Sequence, residues 1–295
     1  MADRKGPAGI VLPLLATVAA MAAFQAGAAF AKGLFPAVGA QGAATLRLVL
    51  GALMLLVLMR PWRNWPAKPP LAALAVLGAA VAGVIVFFYL ALETLPLGVT
   101  IALQFMGPLA VAVVGSRKPA DLAWAALAAG GVWLLVAQGQ AGAKLDLGGI
   151  AWALGAAACW GAYIVAGRVV TAAFGRSTAA LSIGIAAVIM LPVGVSHAGA
   201  ALLDPALLPL ALLVAVMSTA VPFSLEFWAM ARMPARTFAV FTSLEPAFGV
   251  LAGLLLLGER LGVVQIGGVA LVMAAAAGAA WSSSEAEDET VVPQT

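Results

Sequence analysis

Leu95-Pro96-Leu97-Gly98-Val99-Thr100, followed by Gly107-Pro108 and Gly130-Gly131-Val132, returns later in the chain as Met233-Pro234, Glu245-Pro246 and Gly267-Gly268-Val269. In each copy the second proline lies twelve residues after the first, and the copies are roughly 138 residues apart. A unit that is duplicated, broken by proline and embedded in apolar sequence is the usual architecture of a membrane transporter.

The rest of the chain agrees with that reading. Of 295 residues, 64% are hydrophobic and only 9% charged, whereas a soluble domain is nearer half apolar and a quarter charged. The bilayer has to serve as solvent for so much apolar surface. The single Cys159 excludes a disulfide within the chain and a cysteine metal cluster, and the single His197 excludes a multi-histidine site. The formal charge of +3 is held in short gaps between apolar runs, which argues for membrane topology and against nucleic acid.

A helix needs about 20 apolar residues to cross the hydrocarbon. Ten such segments can be drawn, at 8–31, 37–59, 69–92, 96–115, 119–139, 148–171, 177–197, 205–230, 235–257 and 261–281. The expected fold is therefore an all-α membrane protein of ten transmembrane helices. It divides into a five-helix repeat over 8–141, a second over 148–281, and a disordered acidic tail over 282–295. With the N-terminus inside, eleven Lys and Arg fall on cytoplasmic loops and three on outer loops. This positive-inside bias puts both termini in the cytoplasm. Because five is odd, the second repeat enters the membrane inverted. Arg117-Lys118 is then cytoplasmic, and its equivalent Glu259-Arg260 is external and nearly neutral. Inverted repeats place a site near the midplane, where the halves meet.

Pro108 and Pro246 lie inside predicted spans and are read as helix kinks. Each removes the hydrogen bond to a carbonyl four residues earlier, on Gln104 and Thr242 respectively. A freed carbonyl beside a polar side chain at membrane depth faces protein or water rather than lipid. Glu245 precedes Pro246, and a carboxylate within a span is a functional candidate by default. Three roles are open to it: proton coupling, contact with a substrate ammonium, or a structural pair with Arg47, the cation placed mid-span. Its equivalent in the first copy is Gly107. Glu226, with Arg232 close behind, is expected at the cytoplasmic interface, and Glu93 at the outer one. Further polar and aromatic groups mark a candidate cavity: Gln25, Tyr89, Trp160, Tyr163, Ser218 and Phe223. Glycines 130, 131, 262, 267 and 268 permit close helix contact, within the chain or in a dimer. The sequence contains no P-loop or nucleophile elbow, so the expected protein is not an enzyme and needs no ATP.

Leu244-Glu245-Pro246, then Leu257-Gly258-Glu259-Arg260-Leu261 and Gly267-Gly268, resemble the second EamA-type domain of the drug/metabolite transporter superfamily. Leu46-Arg47, Pro96-Leu97-Gly98-Val99-Thr100 and Gly107-Pro108-Leu109-Ala110 fit the first. Phe24-Gln25 through Lys32, Leu103 through Ala110, Ser218 through Glu226 and Met233 through Phe238 resemble the bacterial threonine/homoserine exporters and related amino-acid exporters. The resemblance implies secondary export of amino acids across the bacterial inner (plasma) membrane by alternating access, with threonine-like, broad or aromatic specificity. It implies no organic cofactor, no metal, and membrane lipid and small molecules as partners, in a monomer or homodimer. It also implies a central cavity lined by spans one, three, four, six, eight and nine. A drug or other metabolite exporter of the same fold is the alternative, ahead of a membrane enzyme or a channel. Gln104 stands where such exporters often carry a glutamate.

Overall fold

Every regular element among the described residues is a helix. The computed structural model describes residues 8–115, 119–137, 146–230, 232–233 and 235–291. Pro234 of the repeat motif and the loop cations Arg4, Lys5, Arg117, Lys118 and Lys144 lie outside the described residues.

In chain order the helices are α1 (Ala8–Ala31), α2 (Phe35–Met59), α3 (Leu71–Leu92), α4 (Leu97–Gln104), α5 (Met106–Gly115), α6 (Pro119–Ala137) and α7 (Leu147–Phe174). Then come α8 (Thr178–Ala198), α9 (Leu208–Ala215), α10 (Val221–Met230), α11 (Ala235–Thr242), α12 (Glu245–Leu257) and α13 (Val263–Val291). Five continuous helical stretches are long and apolar enough to cross a membrane: Val11–Arg63, Leu71–Leu92, Leu147–Leu203, Pro205–Glu226 and Val240–Leu257. The first contains both α1 and α2, and the third both α7 and α8, joined by short 3-10 turns. Shorter apolar helices run over Leu97–Val111, Leu122–Leu135 and Val263–Ala279. This is a multi-pass membrane protein.

Three predicted spans are not continuous α-helices. Segment 96–115 breaks at Phe105, between α4 and α5. Segment 235–257 breaks at Ser243-Leu244, between α11 and α12. The two breaks are equivalent under the repeat. Each precedes its proline, so Pro108 and Pro246 sit in the first turn of a new helix instead of kinking an old one. There the missing N–H has no partner to lose. Segment 205–230 is interrupted by a π turn at Val216–Ala220, between α9 and α10.

The two copies are interleaved, and their contacts are reciprocal. α3 packs on α7 as α1 packs on α10; α3 packs on α8 as α2 packs on α9; α5 packs on α7 as α1 packs on α12. α4 packs on α12, a helix of its counterpart span, and two pairs match an element with its own counterpart: α2 with α8 and α6 with α13. In the last pair, a Cβ on Gly131 would lie 2.8 Å from the Gly268 carbonyl oxygen, and one on Gly268 equally close to that of Gly131. These two glycines serve packing within the chain. Gly130 and Gly267 face open space.

α13 continues through the acidic tail to Val291, where the sequence reading expects disorder from Ser282 onward. Ala, Glu and similar residues after Ser284 carry enough helix propensity to extend a helix already nucleated by packing.

Candidate functional site

A cavity of about 380 Å³ lies where the two copies meet. Its walls come from both. α1 supplies Phe24 and Gln25; α2 supplies Arg47 and Leu48; α3 supplies Val81, Val84, Ile85 and Phe88. The α4–α5 break supplies Ile101, Gln104, Phe105 and Pro108, and α7 supplies Trp160, Tyr163 and Ile164. Ile183 of α8, Thr219 of the π turn, Phe223 and Glu226 of α10, and Phe238, Thr242 and Glu245 around the α11–α12 break complete it. Both helix breaks thus end at the cavity, one in each copy.

Most sequence-predicted residues are brought together here, but three are not. Tyr89 and Ser218 are fully buried behind the wall, and Pro246 is buried in α12. Tyr89 and Ser218 hold the cavity's cation instead. Arg47 Nη1 donates to the Tyr89 hydroxyl at 3.3 Å, and Nη2 donates to the Ser218 carbonyl at 3.0 Å. The guanidinium carbon lies 5.0 Å from the Phe24 ring centre and 5.6 Å from that of Tyr89. Such cation–π contacts offset part of the cost of a buried charge.

The sequence dictates this arrangement locally. Pro222 has no N–H to give the Ser218 carbonyl four residues earlier. The π turn loosens the ladder at the same place. Arg47 takes the carbonyl that is left. Close approach is permitted by Gly27 of α1, where a Cβ would run into the Ser218 hydroxyl, and by Gly51 of α2, where one would lie 3.0 Å from Thr219.

The pairing of Arg47 with Glu245 is not formed. Glu245 Oε1 accepts from Gln25 Nε2 at 2.9 Å, and among the described residues the ion pair present is Lys32 with Glu259. Glu245 opens α12, and a helix N-terminus favours a carboxylate through its unpaired N–H groups. The helix break therefore explains how this charge is tolerated at depth. Glu226 is not at the interface either; it lines the same cavity, one helix away from Glu245. Its spacing from Thr219 and Phe223 is seven and three residues, a single helical face, and that pattern was the available signal.

At one end of the molecule, Lys32 Nζ meets Glu259 Oε1 at 3.0 Å while Glu259 Oε2 accepts the Leu97 N–H at 2.8 Å. The turn after α12 thus ties the end of α1 to the start of α4. Nearby, Glu93 accepts the Ala40 N–H at 3.2 Å. The described residues contain no cluster of His, Cys, Asp and Glu suited to a metal ion.

Known proteins are similar to this chain in sequence and in fold. The model of the EamA-like transporter family matches residues 147–281. The threonine/homoserine exporter RhtA of Salmonella typhimurium strain SL1344 is 46% identical over 267 residues, 90% of this chain and 90% of that protein. This chain belongs to the EamA-like transporter family. RhtA of Escherichia coli strain K12 is 44% identical over 275 residues, 93% of this chain and 92% of its own. A solved crystal structure has the same fold, with a TM-score of 0.60 at 19% identity, over 92% of this chain and 99% of that one.

For an EamA-like transporter, the polar residues of the cavity fall into two sets that the sequence alone did not separate. Arg47 stands on α2 with its support behind it. Gln25, Glu245 and Glu226 stand on α1, α12 and α10. α2 thus joins the expected cavity lining and supplies its cation, and α8 adds Ile183.

Proposed function

We propose that this protein exports threonine- and homoserine-like amino acids across the bacterial inner membrane, as a secondary transporter. Ten spans form two inverted five-span repeats, 8–141 and 148–281, with both termini cytoplasmic, and rocking of the repeats exposes the cavity to each side in turn. The observation that carries the reading is a charged cavity at the meeting of the two copies, with a broken helix from each ending at it. Its volume of about 380 Å³ is at the small end of ligand sites, which suits a molecule of amino-acid size. Identity of 44–46% to exporters named for threonine and homoserine supports the substrate class. The loop charges of the sequence support the orientation.

A second reading has its own support: seven of the lining side chains are aromatic, which suits an aromatic amino acid. Purified protein in liposomes decides between them. Counterflow of labelled threonine, homoserine, phenylalanine and tryptophan is compared with that of empty liposomes. Threonine and homoserine are expected to exchange well above control. Flat traces across the panel would overturn amino-acid export, and exchange of the aromatic pair alone would favour the second reading.

A further inference from the structure

The charges in the cavity wall do not pair with one another. Arg47 is 2% exposed, yet its partners are a hydroxyl and a carbonyl, both neutral. Two of the five guanidinium N–H donors are used, and Nε is among the buried polar atoms left without a partner. Glu245 is held by a neutral amide, from Gln25. Glu226 makes no hydrogen bond or ion pair among the described residues. The ion pair that forms among the described residues, Lys32 with Glu259, lies outside the cavity lining.

A charge held within the membrane costs several kcal/mol, and pairing it with an opposite charge is the ordinary remedy. Here one cation and two carboxylates face a single small space without meeting. A ligand carrying both signs would complete both. We propose that the cavity is a two-pole receptor for a zwitterion: the α-carboxylate of the substrate binds the unpaired Nε edge of Arg47, and its α-ammonium binds Glu245, oriented by Gln25. Tyr89 and the Ser218 carbonyl are positioning groups that hold the guanidinium fork toward the cavity. Gln25 presents one face of the Glu245 carboxylate, and its own Oε1 is buried without a partner, a free acceptor beside the ammonium site. Trp160, Phe223 and Phe238 line the wall that the substrate side chain contacts.

This assignment rests on the reading of the protein as an amino-acid exporter, and it makes a demand that reading does not. Both ends of the amino-acid backbone must be charged. Threonine, threonine methyl ester (no carboxylate) and N-acetylthreonine (no ammonium) are compared as competitors of labelled threonine counterflow in liposomes. With the wild-type chain, the ester and the N-acetyl compound are expected to compete at least about tenfold more weakly than threonine, the loss expected for one charge-assisted contact. In Arg47→Gln the gap between threonine and its ester should close, while the gap to N-acetylthreonine persists. In Glu245→Gln the pattern should reverse. Arg47→Lys keeps the charge without the fork and should keep a reduced preference for threonine over the ester. A structural role would instead weaken all three ligands together. The wild-type comparison stands even if a variant fails to fold. Exchange of threonine with equal competition by all three compounds would overturn the two-pole site and leave export intact. No exchange of any amino acid would overturn both.

Discussion

The two broken helices have the same backbone plan and opposite chemistry. α4–α5 and α11–α12 break at equivalent residues, Phe105 and Ser243, and each resumes with its proline in the first turn. At the next equivalent position they part. A Cβ on Gly107 would run into the carbonyl oxygen of Ala157 in α7, so the first arm is closed by backbone against backbone. Its counterpart Glu245 faces α1 and meets the side chain of Gln25. A duplicated fold can therefore repeat its hinges while placing a charge in only the copy that has room for one.

The largest expected effect tests the closed arm. Gly107→Ala forces a methyl into a backbone carbonyl, and overpacking of this kind costs about 3 kcal/mol. Gly249→Ala in the second arm meets the end of the Ile101 side chain, which can turn away, and should cost about 1 kcal/mol. Thermal unfolding in detergent measures both. Equal losses would mean that the two arms are packed alike.

Glu245→Gln tests the open arm. Threonine counterflow should fall about tenfold, equivalent to the loss of one charged contact. The unfolding midpoint should stay level or rise, because a buried carboxylate with no cation beside it destabilises the fold. A sharp drop in midpoint with counterflow per folded molecule unchanged would make Glu245 a structural residue.

Glu259 links the arms, since it follows α12 and caps α4. Glu259→Gln keeps an acceptor for the Leu97 N–H but loses the ion pair with Lys32, whose side chains are 27% and 15% exposed. At that exposure the pair is worth under about 1 kcal/mol. Glu259→Ala loses the cap as well, for about 1 kcal/mol more. If the two variants unfold alike, the Leu97 bond contributes nothing.

Much of this was legible in the sequence, and the misses have physical causes. Apolar runs of membrane length marked the helices, and polar, aromatic and proline residues inside them marked nine of the lining positions, from Gln25 to Glu245. The proline spacing located both helix breaks to within three residues. The partners were not legible. Arg47 and Glu245 are opposite charges in apolar helices, so a pair stood among the three roles open to Glu245. The structure instead gives Arg47 a carbonyl that Pro222 sets free, a consequence that becomes visible only when the π turn is seen beside α2. Glu226 was judged by its nearness in sequence to Arg232, although it shares a helical face with Phe223, three residues earlier. Tyr89 and Ser218 were marked as cavity residues and lie buried behind its wall; composition does not distinguish a wall from the support behind it.

The smallest expected effect concerns α7, the helix against which the first arm is closed. Asp146 caps its start, accepting the Gly149 N–H at 2.6 Å and the Thr94 hydroxyl at 3.1 Å. The Gly149 bond, then the Thr94 bond, hold the carboxyl below its ordinary value of 3.8. A carboxylate whose pKa is lower in the folded chain than in the unfolded one adds stability above the unfolded value and loses it as the pH falls through the folded one. The wild-type unfolding midpoint should therefore fall as the pH drops below about 4, more steeply than that of Asp146→Asn, which keeps a capping oxygen without the charge. The group is exposed, so salt should blunt the difference. Identical profiles for the two proteins below pH 4 would show that the charge of the cap adds nothing to the footing of the first arm.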